Sequence, residues 1–207
     1  MPNVYLGTTY LVVASVLWGA LHSLLASHTV RNTLRRLAGP PAFDRIYRFS
    51  YNFFAFASFY PIVVMLYTFP DQPLYTIPSP WVYLTTVVQG LAVFLMVAPV
   101  MQTGPSEFLG LEQLTQVEEP KPRVLLTDGL YSFVRHPLYT GILLFMWLIP
   151  AMTVNRLALI VMLTLYILAG AWFEERKLLK DFGLAYAEYK ARTPMLFPKF
   201  IGSNPKS

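Results

Sequence analysis

Long apolar stretches alternate with short polar ones along this chain, and the first span, Val4–Ala26, carries only Thr, Ser, Gly and one histidine among its hydrophobic residues. Residues 49–69 form a second such stretch, with Asn52 near its start and Pro61 inside, and residues 81–101 a third, with Gln89 and Pro99. A helix needs about 20 predominantly apolar residues to cross a ~30 Å hydrocarbon core, and each stretch meets that length. Residues 138–152 and 157–173 are two further apolar legs separated by Asn155-Arg156, which predicts a membrane hairpin, slightly short for full crossings at 1.5 Å rise per residue. Pro137 marks its start or a kink, since proline has no N–H to donate. Beyond it, Leu178, Leu179, Phe182, Tyr186 and Tyr189 recur at the spacing of one helix face. They predict an amphipathic tail helix, broken or kinked at Gly183 and ended at Thr193-Pro194. The pattern defines an all-α polytopic membrane protein of about five transmembrane helices, with a C-terminal helical hairpin and a cytosolic amphipathic tail helix.

Composition sharpens that reading. Only 13% of residues are charged, against roughly 25% in soluble proteins. The basic residues decide topology. With five spans and the N-terminus outside, the cytoplasmic parts are the basic loop 30–48, the polar connector 103–134 with Arg135, and everything after Phe173. They hold fifteen of the sixteen Lys and Arg residues, leaving only Arg156 outside, in agreement with the positive-inside rule. The prolines of residues 70–80 make a short rigid outer turn. The net charge of +5 is assigned to topology and anionic lipid rather than to nucleic acid. The absence of cysteine excludes disulfides, thiolate metal sites and a cysteine nucleophile. The first span has no basic n-region and no small-residue cleavage site, which argues against a removable signal peptide.

A hairpin returns its two ends to one membrane face. Arg135, His136 and Tyr139 therefore come beside Glu174 and Glu175. Two adjacent carboxylates where a span leaves the membrane are costly unless partnered, and the partners at hand are Arg135 and His136 or a bound cation. Together with Tyr131, this set suits a zwitterionic ligand, with a guanidinium for its carboxylate and a glutamate for its ammonium. His22 and Ser23, late in the first span, read either as an interhelical hydrogen bond, with Asn52 as the partner, or as a polar group at the far end of a pocket. Gln89 reads as helix glue, His28 and Arg156 as interfacial, Asn155 as a turn residue. His22 and His28 fall on different helix faces, and no metal site is expected. No phosphate-binding glycine loop or nucleophile elbow is present.

The series Gly129-Leu-Tyr-x-x-x-Arg-His-Pro-x-Tyr-x-Gly141, an apolar hairpin, then Glu174-Glu175-x-x-Leu178-x-x-x-Phe182-Gly183-x-x-Tyr186-x-x-Tyr189-x-x-Arg192-x-Pro194 resembles the isoprenylcysteine carboxyl methyltransferases and the related phospholipid methyltransferases. Leu21-His-Ser-Leu-Leu-Ala-Ser27 and Phe108-Leu-Gly-Leu-Glu-Gln113 are more similar to the NnrU and methanethiol S-methyltransferase branch. The resemblance implies an integral membrane enzyme of one domain over residues 1–207. Residues 1–103 would be a three-span acceptor-side bundle, 104–137 a cytosolic connector, 138–173 the hairpin and 174–207 a tail covering the cofactor. It implies S-adenosyl-L-methionine as cofactor, surrounded by Tyr131, Arg135, His136, Tyr139, Glu174 and Glu175 and closed over by Leu178, Tyr186, Tyr189 and Arg192. Within that set, Arg135 would take the methionyl carboxylate, and His136 or His22 would serve as base for an amine or thiol acceptor.

The acceptor is left open between a prenylated cysteine, a phospholipid amine, a small thiol and a nitrogen-oxide-linked role, with the N-terminal His-Ser segment favouring a small thiol or compact hydrophobic molecule. The competing reading is a non-catalytic transporter subunit or scaffold retaining the fold. Against it stand two complete polar segments and the lack of an intramembrane acid or lysine. A sterol-reductase-like enzyme is disfavoured for want of a second nucleotide subsite. Membrane lipid is an expected partner, and the pattern is silent on oligomeric state.

Overall fold

The structure is a computed structural model that describes residues 3–115 and 124–198. Within the polar connector, Pro120-Lys-Pro122 lies outside the described residues. The elements run α1 (Val4–Ala26), α2 (His28–Ala38), α3 (Pro40–Thr68), β1 (Pro73–Thr76), α4 (Trp81–Thr103), α5 (Pro105–Leu109), α6 (Leu111–Thr115), a 3-10 turn (Gly129–Ser132), α7 (Pro137–Trp147), β2 (Ala151–Thr153) and α8 (Val154–Arg192).

This is an all-α polytopic membrane protein. Among the described residues, four helices are long and apolar enough to cross a bilayer, in α1, α3, α4 and α8. Their surface is inverted relative to a soluble protein, with Leu17, Val87 and Leu165 among many apolar side chains left more than half exposed. The fifth apolar helix departs from expectation. The 11 residues of α7 rise roughly 16 Å, about half of a ~30 Å core. Helical geometry is lost at Leu148, two residues before Pro150, whose ring disfavours helical backbone in the preceding residue.

The hairpin legs also pack differently from a simple pair. α7 lies mainly against α4, and α8 against α1. Glycines set both contacts. A Cβ on Gly141 would come within 2.7 Å of the Ala92 carbonyl oxygen, so only a residue without one lets α7 lie this close to α4. Gly19 similarly admits the ring of Tyr166 against α1. Gln89 of α4 donates to the Phe145 carbonyl of α7 at 3.0 Å, a hydrogen bond between helices. Leu11, Ile62 and Leu159 form the buried contact among α1, α3 and α8, joined by Trp18 and Phe59.

Residues 30–48 are helical rather than a loop. Ser27 caps α2 by accepting from Val30 N–H, Gly39 turns the chain with a φ of 82°, and Arg35 forks onto Asp44 across the turn. β1 pairs antiparallel with β2 and joins the α3–α4 and α7–α8 connections. Asn155 is no simple turn residue. It is fully buried, its amide donates to the Pro70 carbonyl and its side-chain oxygen accepts from Thr8 at 2.6 Å. One residue thus ties α1, the turn between α3 and β1, and α8 together.

Gly141→Leu is expected to force α7 away from α4, at about 1–3 kcal/mol for an overpacked contact. The melting temperature of the detergent-solubilised protein should fall by several degrees. Gly170→Ala, where nothing lies within 4 Å of the added carbon, should show no loss.

Candidate functional site

The tail does not begin a separate helix after Phe173. It continues α8 without interruption as far as Gly183, where φ 55° and ψ −125° break the helix. Glu175 and Lys190 lie 15 residues apart along this element, a rise of roughly 22 Å if it were straight. Their side chains nevertheless meet, Lys190 Nζ lying 2.8 Å from Glu175 Oε2. The chain therefore folds back at Gly183, a backbone conformation that suits glycine. This return brings Tyr186 and Tyr189 over the residues preceding α7.

Arg135 fastens the fold-back. Its Nε donates to Glu175 Oε1 at 2.7 Å, and Nη2 reaches the same oxygen. Its Nη1 donates to the Lys190 carbonyl at 3.2 Å and to that of Thr193. A cation at the last carbonyls of a helix also meets the negative end of its dipole. Both side chains of the pair are over nine-tenths buried. Main-chain bonds extend the joint: Arg135 and His136 N–H groups donate to the carbonyls of Pro194 and Met195, Thr140 Oγ1 donates to that of Leu196, and Tyr189 donates to that of Tyr131 at 2.6 Å. Of the five N–H groups of a guanidinium, four are taken by Glu175, Lys190 and Thr193, and the Tyr186 hydroxyl lies against the same group.

Beside this joint is a cavity of about 310 Å³. Its walls include Tyr131, Tyr139, Tyr186, Tyr189 and Leu178, with Arg135 and His136 at its floor and Glu174 as its carboxylate. Glu174 accepts from the Tyr139 hydroxyl at 2.9 Å and stays 45% exposed, so most of its acceptor capacity is free. His136 stacks on Tyr139, with ring centroids 5.3 Å apart. Its Nδ1 lies 3.8 Å from Glu174 and its Nε2 3.4 Å from Glu175. Burial pushes its pKa below the ordinary 6.5, against the pull of both carboxylates, which keeps the ring neutral at neutral pH. Burial, followed by the charge of Glu174, raises the Tyr131 phenol. Two buried polar atoms here are poorly satisfied: His136 Nε2 has only the Glu175 carboxylate at 3.4 Å, and the Tyr186 hydroxyl makes no well-formed hydrogen bond, with the Arg135 guanidinium beside it. Such atoms cost about 1–3 kcal/mol each.

The expected residues thus divide into three groups. Tyr131, Arg135, His136, Tyr139, Glu174, Leu178, Tyr186 and Tyr189 share the cavity wall. Glu175 sits behind it as the partner of Arg135 and Lys190, and Arg192 is exposed and does not contribute to the wall. His22 lies elsewhere in the bundle, bonded to Tyr51 rather than to Asn52, whose amide donates to the Phe108 carbonyl. Sequence reasoning missed Pro99, Val100 and Phe108, which α4 and α5 bring to the cavity. Only the helix-breaking pair Pro99 and Gly104 signalled that α4 ends there. Lys190 was also missed, since its spacing from Glu175 is meaningful only after the fold-back.

Fold and site together define a polytopic helical membrane protein with a polar, tyrosine-walled cavity at one end of its bundle. The chain belongs to the NnrU family: residues 10–200 match the family described as NnrU protein. It is 30% identical over 188 residues to methanethiol S-methyltransferase 1 of Bradyrhizobium diazoefficiens, an alignment covering 88% of this chain and 64% of that protein. It is 49% identical over 75 residues to methanethiol S-methyltransferase 2 of the same organism, covering 36% of this chain and 29% of that protein. Against methanethiol S-methyltransferase of Crocosphaera subtropica it is 39% identical over 99 residues, 46% of this chain and 38% of that protein. The chain spans less than two thirds of the length of each of these relatives. No solved structure matches it.

His136 yields a pH prediction. A histidine whose folded pKa lies below 6.5 binds fewer protons folded than unfolded, so stability is full above 6.5 and falls as pH drops through the window beneath it. The melting temperature should decline between pH 7.5 and 5.5, and His136→Phe should flatten that decline. Separately, Glu175→Gln should cost about 3–5 kcal/mol by leaving the Arg135 charge buried without its partner, read as a large fall in melting temperature.

Proposed function

We propose that this chain is an integral membrane methyltransferase that binds S-adenosyl-L-methionine in the tyrosine-walled cavity and methylates a small thiol. The observation that carries the reading is the make-up of that cavity: one half-exposed carboxylate, four tyrosines and a buried histidine. These residues fit the ligand. Glu174 suits its ammonium, the tyrosine faces suit a sulfonium through cation–π attraction worth about 1–2 kcal/mol when desolvated, and His136 Nε2 and the Tyr186 hydroxyl suit polar atoms of the nucleoside. The division of labour differs from the simplest one. Arg135 is committed to holding the fold-back, and Glu175 neutralises it.

S-adenosyl-L-methionine, when bound, supplies an electrophilic methyl group on sulfur. The protein's part is to position and to exclude water. The second arm of α8, from residue 184 onward, covers the cavity, and Phe182 and Leu178 contribute apolar wall. The thiol acceptor follows from what the relatives are named for. The cavity is read as opening to the cytosol, since the basic residues concentrate on that face.

Purified protein should bind S-adenosylhomocysteine saturably, with a melting temperature that rises with ligand concentration by mass action. Glu174→Gln should weaken that binding about 10–100-fold, the worth of one charge-assisted hydrogen bond. Unchanged affinity in Glu174→Gln would overturn the assignment of the carboxylate, and no binding to wild type would overturn the function.

A further inference from the structure

A second polar cluster lies inside the bundle, where α1, α3 and α8 converge. His22 stacks on Trp18 one turn earlier, with ring centroids 5.0 Å apart and planes 20° from parallel. Tyr51 of α3 places its hydroxyl 2.6 Å from His22 Nε2. Tyr166 of α8 turns an edge toward the imidazole, centroids 5.9 Å apart, and approaches that closely because Gly19 has no Cβ to meet its ring at 3.0 Å. The other ring nitrogen, His22 Nδ1, is buried and has no hydrogen-bond partner among the described residues. Most buried side-chain polar atoms have a partner; this histidine leaves one nitrogen without.

The cluster adjoins the donor cavity. Asn52, the residue after Tyr51 on α3, donates to the Phe108 carbonyl at 3.1 Å, and Phe108 lines that cavity.

We propose that Trp18, His22, Tyr51 and Tyr166 form the acceptor subsite and that its occupant is a small neutral thiol whose S–H pairs with His22 Nδ1. This rests on the methyltransferase reading above and supplies the acceptor half it leaves unplaced. The chemistry selects the occupant. A carboxylate acceptor would need a cation and an ammonium an anion, both expensive within the hydrocarbon; the ring partners of His22 are Trp18, Tyr51 and Tyr166, none of them charged. A thiol is a weak donor and a weak acceptor, so it satisfies Nδ1 in either tautomer. Sulfur against aromatic rings adds about 0.3–1.5 kcal/mol per contact. When Nε2–H donates to the Tyr51 oxygen, Nδ1 carries the lone pair. The acceptor's S–H bond then breaks with its electron pair left on sulfur and its proton on Nδ1, giving a thiolate beside an imidazolium. Tyr51 and Tyr166 are the titratable groups whose rings contact this imidazole.

The test is steady-state methylation of methanethiol and ethanethiol by the full chain in lipid nanodiscs, with labelled S-adenosylmethionine. It compares wild type, His22→Ala, His22→Gln and Tyr166→Phe, and measures S-adenosylhomocysteine affinity for each. His22→Ala should lower kcat/KM for the thiol at least tenfold with the S-adenosylhomocysteine affinity unchanged. His22→Gln, which hydrogen-bonds but takes no proton, should lose kcat more than KM and recover as pH rises and solution thiolate replaces ionisation at the site. Tyr166→Phe should raise KM. Thiol kcat/KM within twofold of wild type in His22→Ala overturns the subsite, as does a wild type that binds S-adenosylhomocysteine yet methylates no thiol. Failure of wild type to bind S-adenosylhomocysteine marks instead the failure of the underlying reading.

Discussion

A guanidinium taken out of water is tolerated only where its charge and its hydrogens are spoken for, and Arg135 satisfies that condition by drawing three parts of the chain to one point. Glu175 comes from the membrane-proximal arm of α8, and the carbonyls of Lys190 and Thr193 come from its returning arm. The backbone just before α7 completes the joint. Without this convergence the returning arm has few other attachments, and the cavity loses Tyr186 and Tyr189 from its wall. The pair is thus chiefly architectural. Its cost is the desolvation of two charges, and what it secures is a defined pocket at a membrane boundary, where loops alone would give an ill-defined one.

Two adjacent glutamates accordingly have unlike roles. Glu175 points back into the joint and is consumed by Arg135 and Lys190. Glu174, one residue and about 100° around the helix away, faces the cavity with a single internal donor, Tyr139. Helical geometry alone separates them.

Hydropathy made the long spans legible, because residence in hydrocarbon leaves no freedom about backbone pairing: every polar group must be satisfied within a helix. The meeting of Arg135 and His136 with the glutamate pair was legible for the same reason, since the ends of a hairpin share a face. Less visible was what depends on side-chain detail. The fold-back required knowing that Gly183 takes a positive φ rather than a mild kink. The pairing of α7 with α4, rather than with α8, depends on a missing Cβ at Gly141, which periodicity does not register. Residues 30–48 were mistaken for a loop because their charges mask the spacing of Val30, Leu34 and Leu37 along α2. His22 was recognised as polar in an apolar span, but its partner was misassigned by one residue: Tyr51 carries the hydroxyl, and Asn52 turns toward Phe108.

The proposed function requires the sulfonium ligand to sit in the tyrosine-walled cavity. Ultraviolet cross-linking of labelled S-adenosyl-L-methionine to the purified protein, with the labelled peptides mapped, tests that location most directly. Label confined to the peptides containing Tyr131–Tyr139 and Tyr186–Tyr189, and displaced by S-adenosylhomocysteine, is the result the geometry requires. Label on the connections that carry β1 and β2, or labelling that S-adenosylhomocysteine does not displace, would contradict it.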